Sequence, residues 1–204
     1  MTKSHRRPGR GLLEFVLTVA VALGLAFCVQ AYAVKPYRIP SPSMEPTLKV
    51  GDRVLVNRFS HRLGATPQVG QVVVFNPPSG ADAMPARCGV PAPTDSPCPR
   101  PTATASSKAF IKRVVGVGGD RIAVRDGHVL RNGVQESDPY IAACAGGEDC
   151  DLPRAITVPK GSVFVMGDNR GNSDDSRFWG PVPLGWVIGQ AVSIYWPVGR
   201  VGTL

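Results

Sequence analysis

Histidine is scarce, with three in 204 residues. His5 stands near the chain start, and His61 and His128 sit in turn-like settings without an evident carboxylate partner. A Ser-His-Asp triad therefore has little to be built from. The five cysteines do not fall into the C-x2-C or Cys/His spacings of a zinc site, and no glycine-rich phosphate loop occurs. We expect no metal and no organic cofactor. Dense Lys/Arg runs are missing beyond the first residues, which argues against a nucleic-acid partner. Amphipathic helical periodicity is missing from residue 35 onward, and so is any internal repeat.

Acidic residues are the minority, with 15 Asp and Glu against 23 Lys and Arg. Lys3, Arg6, Arg7 and Arg10 face only Glu14 at the start, and residues 15–29 carry no charge. That run comes close to the roughly 20 apolar residues that span a bilayer. Basic residues before it predict a cytoplasmic N-terminus and an exported body. We expect residues 1–11 to be a basic cytoplasmic tail and 12–34 a single transmembrane signal-anchor helix in the cell membrane. Residues 35–204 would form an extracytoplasmic domain beside the lipid bilayer. A cleaved secretory signal peptide competes with this reading; the length of the apolar core and the imperfect small-residue site at 30–33 speak against it.

The body reads as mostly β. Short runs such as Arg53-Val54-Leu55-Val56 and Gln71-Val72-Val73-Val74-Phe75, and others over 110–117, 162–166 and 191–196, are separated by Gly, Pro, Asn and Asp. Antiparallel sheets with tight turns have this pattern. Asp126-Gly127 and Asn132-Gly133 are hairpin dipeptides that favour positive φ. Residues 76–107, rich in Pro, Ala, Ser and Thr, read as an extended surface loop. Residues 136–154 are irregular and belong to a small inserted subdomain. Cys28, inside the apolar run, reads as a small hydrophobe. Cys88, Cys98, Cys144 and Cys150 are compatible with two disulfides in an oxidising compartment. Local pairing, Cys88 with Cys98 and Cys144 with Cys150, is one of three connectivities, and four free thiols are the alternative.

Three segments could carry chemistry. In Ile39-Pro40-Ser41-Pro42-Ser43-Met44-Glu45-Pro46 the prolines forbid an ordinary central strand. The Ser43 N–H is left free beside a hydroxyl, as acyl transfer needs, and the Ser41 hydroxyl could be a second donor. A Pro/Ser linker is the plainer reading. In Phe110-Ile111-Lys112-Arg113-Val114-Val115-Gly116 two adjacent cations fall on opposite faces of a strand. Arginine keeps its proton and needs a carboxylate when buried, whereas a buried lysine can become a neutral base. An edge strand with solvated charges is the alternative. The stretch Gly167-Asp168-Asn169-Arg170-Gly171-Asn172-Ser173-Asp174-Asp175-Ser176-Arg177 follows a strong strand. It is either a polar turn or a buried network that positions a base.

Together these segments resemble those of the type I signal peptidases, membrane-bound Ser/Lys peptidases that trim exported preproteins. Ser41 through Leu48 is similar to the family's nucleophile box, and Gly51-Asp52-Arg53-Val54-Leu55-Val56-Asn57 to the box after it. Lys112 through Asp120 is similar to the lysine box, and Gly167 through Arg177 to the last box. The resemblance implies Ser43 as nucleophile and Lys112 as general base. It implies an oxyanion hole from the Ser43 N–H and the Ser41 hydroxyl, and a Ser173 that orients the Lys112 amine. Asp168 with Arg113 and Asp175 with Arg177 would be ion pairs near the site. The implied fold is an N-terminal transmembrane helix followed by an antiparallel β catalytic core, with a small β subdomain inserted at 123–159. Implied partners are preproteins with signal peptides, cut after small residues in an Ala-x-Ala-like pattern, and the secretion translocon. The Pro-rich stretch 76–107 departs from the commoner pattern, and the single anchor resembles the shorter Gram-positive type. A peptidase dedicated to one exported substrate, or a tethered β-domain that binds without catalysis, would be the competing functions.

Overall fold

The structure, a computed structural model, describes residues 9–32, 34–83, 88–91, 95–144 and 150–204. The expected tail up to residue 8, including His5, and the side chains of Cys28 and His61 lie outside the described residues.

Helix α1, Gly9–Tyr32, has 24 residues, a rise of about 36 Å at 1.5 Å per residue. Its described apolar side chains are exposed, with Leu12, Leu13, Phe15, Leu17, Leu23 and Leu25 each at 63 % or more. Among the described residues no helix is long and apolar enough to cross a membrane, so the transmembrane reading rests on the sequence.

The body is mostly antiparallel β. The larger sheet runs β1 (Val34–Arg38), β2 (Arg53–Asn57), β11 (Val187–Trp196), β3 (Val72–Phe75), β4 (Phe110–Val117), β9 (Ser162–Met166) and β10 (Val182–Pro183), with β12 (Gly202–Thr203) on β11. The smaller sheet has the order β7 (Val134–Gln135), β6 (His128–Arg131), β5 (Arg121–Arg125) and β8 (Leu152–Thr157). Alternation sets the faces. In β2, Val54 and Val56 point inward and Arg53 outward. Strand β3 is buried throughout, because both its faces carry core. Val72 and Val74 join Ile39, Met44, Leu48, Val54 and Val56 on one side; Val73 and Phe75 join Val114, Val165 and Trp179 on the other. A third cluster around Ile122, Val124, Phe164 and Met166 seats the smaller sheet.

Strand β4 is central, paired to β3 on one side and β9 on the other. Lys112 lies opposite Val73, and Arg113 lies opposite Val72 and Met166. The two cations therefore face different cores. Asp126 and Gly127 both take positive φ between β5 and β6, as do Asn132 and Gly133 between β6 and β7, the geometry such hairpin dipeptides favour.

One expectation needs correction. The loop 76–107 is not wholly at the surface: Ala81, Ser96 and Cys98 are buried, and Ala81 packs in the cluster of Phe75 and Trp179. Ala and Cys are small and pack in cores as readily as they sit in loops. The last polar stretch also contains a one-turn helix, α3 (Ser176–Trp179), N-capped by Asp175. A second short helix, α2, spans Phe59–Arg62.

Candidate active site

Proline shapes the segment that carries the candidate nucleophile. Pro42 opens a 3-10 turn, Pro42–Met44, where its missing N–H leaves nothing unsatisfied. Ser43 follows, with its own N–H at the free amino end of the turn. Met44 and Leu48 anchor the segment in the core. The turn is also held from outside. The Asn169 N–H donates to the Ser43 carbonyl at 3.1 Å, and Asn169 Nδ2 donates to the Pro42 carbonyl at 3.2 Å. Gly167 passes so close that a Cβ there would overlap the Ser43 carbonyl oxygen and the Ser173 side chain.

Lys112 reaches this turn from β4. It is 4 % exposed and Ser43 is 7 % exposed, and Lys112 Nζ lies 2.5 Å from Ser43 Oγ. Ser41 Oγ is 3.4 Å from Ser43 Oγ. Burial pushes the Lys112 amine down to about 8, against the pull of Asp175, Asp174 and Asp168 and with help from Arg177. The cause is desolvation, which disfavours the charged form. At pH 7 roughly one amine in ten is then neutral, against about one in a few thousand for free lysine.

Two buried ion pairs flank Ser43 and Lys112. Arg113 holds Asp168 with two prongs, Nε to Oδ1 at 2.9 Å and Nη2 to Oδ2 at 2.6 Å. Thr47 Oγ1 donates to the same carboxylate at 2.5 Å, and the Arg113 guanidinium stacks 4.0 Å from the Tyr140 ring centre. Arg177 Nε donates to Asp175 Oδ1 at 2.9 Å, and both side chains are fully buried. Burial pushes the Asp175 carboxyl up. The Arg177 charge and hydrogen bonds, the Gly167 N–H and Lys112 outweigh it and hold the group below its ordinary value.

The Ser173 hydroxyl donates to Asp175 Oδ2 at 2.9 Å; a buried carboxylate is a strong acceptor, and the hydroxyl oxygen keeps lone pairs for an amine donor. Ser173 therefore stands beside Asp175 in the network behind Lys112.

Sequence reasoning assigned no role to Thr47, Asn169, Arg170 or Asp138. Arg170 is 1 % exposed. It donates to the Gly167 carbonyl at 3.0 Å, to the Gly127 carbonyl, and to Asp138 at 3.2 Å. Asp138 also meets His128 Nδ1 at 2.6 Å. This chain ties the smaller sheet to the turn that carries Asp168. Thr47, Asn169 and Arg170 lie within the quoted boxes, which was the available signal; nothing near Asp138 marked it.

The cysteines pair locally, Cys88 with Cys98 and Cys144 with Cys150. Among the described residues no cluster of His, Cys, Asp and Glu is built to hold a metal ion. Ser43 and Lys112 open onto a cleft of about 840 Å³, walled by Tyr37, Ile39, Val74, Phe110, Ile111 and Phe178 among others.

Residues 12–196 match the family model described as signal peptidase, peptidase S26. A probable signal peptidase I-2 of Synechocystis sp. is 37 % identical, covering 99 % of this chain and 81 % of that one. Signal peptidase I of Leptolyngbya laminosa is 35 % identical over 95 % of this chain and 84 % of its own. Signal peptidase IB of Staphylococcus aureus is 30 % identical over 91 % and 90 %. A crystal structure of a signal peptidase I from Enterococcus faecalis, 25 % identical, covers 62 % of this chain and 97 % of that chain with a TM-score of 0.43; the fold assignment stands on the strand pairing described above. By the family model and by relatives matched over most of their length, this chain belongs to the signal peptidase family.

Proposed function

We propose that this chain is a serine endopeptidase that removes N-terminal signal peptides from exported preproteins, with Ser43 as nucleophile and Lys112 as general base. The observation that carries the dyad is the 2.5 Å approach of a desolvated Lys112 Nζ to Ser43 Oγ. Neutral Lys112 takes the hydroxyl proton as Ser43 Oγ attacks the scissile carbonyl carbon. The Ser43 N–H and the Ser41 hydroxyl donate to the resulting oxyanion. The Lys112 ammonium then gives its proton to the leaving amine as the peptide bond breaks. A water, deprotonated by the same amine, cleaves the acyl-enzyme and frees Ser43.

The substrate would lie extended in the cleft between the segment Arg38 to Ser41 and the start of β4. Shallow apolar walls from Ile39, Val74 and Ile111 suit small side chains, in keeping with an Ala-x-Ala-like preference. Domain layout follows the same reading: a basic cytoplasmic tail over 1–11, a single transmembrane anchor over 12–34, and a catalytic domain over 35–204 on the far side, with its inserted subdomain at 123–159. The charge-free run 15–29 and the exposed apolar side chains of α1 support it. Strand β1 begins at Val34, directly after α1 ends at Tyr32, so such an anchor would hold the cleft near the bilayer, where a preprotein emerges from the translocon.

The test is cleavage of a purified preprotein by the full chain in detergent. Ser43→Ala and Lys112→Ala should each abolish cleavage and leave the circular dichroism spectrum unchanged. Full activity in either folded variant refutes the assignment.

A further inference from the structure

The Pro-rich loop takes no part in the steps above, yet its second half packs against the catalytic support. Cys98 is 1 % exposed, and its N–H donates to the Arg177 carbonyl at 2.8 Å. Gly180, just after α3, runs so tightly under the loop that a Cβ there would come within 2.8 Å of the Arg100 carbonyl carbon. At the other end, the Asp95 carbonyl accepts from the Arg154 N–H of β8 at 2.9 Å, and the Asp95 carboxylate meets the Arg154 guanidinium at 3.0 Å. The Cys88–Cys98 disulfide and the Gly89 N–H bond to the Arg100 carbonyl at 2.8 Å close this stretch on itself. Residues 95–101 thus form a strap from the smaller sheet across α3.

Helix α3 needs such support. It is a single turn of four residues, too short to be stable through its own hydrogen bonds, so tertiary contacts set its place. The charged groups facing Lys112 are Asp174 and Asp175 just ahead of α3, Arg177 within it, and Asp168 after β9. Three of these four lie in or beside the turn the strap covers.

We propose that the disulfide-closed strap 95–101 is a positioning element of the reaction, with Cys98 as its positioning residue, holding α3 so that the Asp175–Arg177 pair stays dry and aligned behind Lys112. The proposal rests on the Ser43/Lys112 reading. Loosening the strap admits water and weakens the hold of Arg177 on Asp175. Both changes favour the protonated amine, so the pH at which the base is half neutral moves up.

Cys88 is more exposed than Cys98, so Cys88→Ser opens the ring without placing a hydroxyl in the buried Cys98 site. In the full chain in detergent, its rising limb of kcat/KM against pH should move up by about one pH unit. That corresponds to roughly eightfold lower activity near pH 7.5, with KM little changed and activity recovered near pH 10. An unmoved midpoint in the folded variant overturns the proposal, even if Tm falls, because then the strap only stabilises. Reduction of the already folded wild-type enzyme, with loss of Cys88–Cys98 followed by alkylation and mass spectrometry, gives the same readout without refolding. There too, an unmoved midpoint overturns the proposal. Activity retained by Lys112→Ala would overturn the dyad and the strap together, whereas an intact dyad with an unmoved midpoint overturns the strap alone.

Discussion

Replacing Lys112 by methionine should destroy activity and raise stability at the same time. The amine sits in a dry place and is pushed from 10.5 down to about 8. At about 1.36 kcal/mol per pKa unit, holding it charged in the folded state costs about 3 kcal/mol. The folded value lies below the unfolded one. The unfolded chain therefore binds more protons between about pH 8 and pH 10.5, and stability rises with pH across that window. Below pH 8 the full penalty stands, and above pH 10.5 it is gone. Methionine has nearly the same volume and length and no charge, so the site should accept it with little strain. Lys112→Met should exceed the wild type by up to about 3 kcal/mol at pH 6.5, and the gain should fade toward pH 10.5. Urea unfolding followed by tryptophan fluorescence suits the measurement, since Trp179 is fully buried in the core. A variant less stable than the wild type at pH 6.5, or a difference that ignores pH, would refute the reasoning. So would retained cleavage of a preprotein.

Wild-type kcat/KM should rise with pH through a midpoint near 8, with roughly a tenth of the plateau at pH 7; a profile flat from pH 6 to 9 contradicts a lysine base. Ser41→Ala should lower kcat by about 10²–10³-fold with little effect on KM, as loss of an oxyanion donor does, and steady-state kinetics on a peptide substrate check it. Asp168→Asn leaves the Arg113 guanidinium without its buried partner and should cost about 3–5 kcal/mol of stability, read as a lowered urea midpoint. Gly167→Ala must displace the Ser43 carbonyl or Ser173, so activity should drop while the far-ultraviolet circular dichroism spectrum is kept.

Strand content was readable because local patterns fixed it. The alternation in β2 and the solid apolar run of β3 are signatures of one-sided and two-sided burial. Lys112 and Arg113 fell on opposite faces for the same reason, since side chains along a strand alternate by two. The strand order of the larger sheet was not readable, because pairing such as β11 between β2 and β3 joins residues far apart in the chain. Loop 76–107 looked superficial because Ala and Cys are small and occur in surface segments too; the packing of Ala81 with Phe75 and Trp179 comes from tertiary contacts that leave no local pattern. That Ser173 donates to Asp175 was not readable, because it depends on where Arg177 draws that carboxylate. The link from Asp138 to Arg170 leaves no local trace, as it joins residues 32 apart in the chain.

The neighbouring cations of β4 make its alignment a chemical matter. Sliding the strand by one residue against β3 would turn the guanidinium of Arg113 toward Ser43 and strand the amine beside Asp168. A guanidinium holds its proton at any pH the cell meets, so the misaligned molecule could still be compact and yet inert. On the Ser43/Lys112 reading, the ladder from Val72–Arg113 to Phe75–Phe110 thus decides which cation faces the nucleophile. Damage to that ladder should silence the enzyme well before it unfolds it.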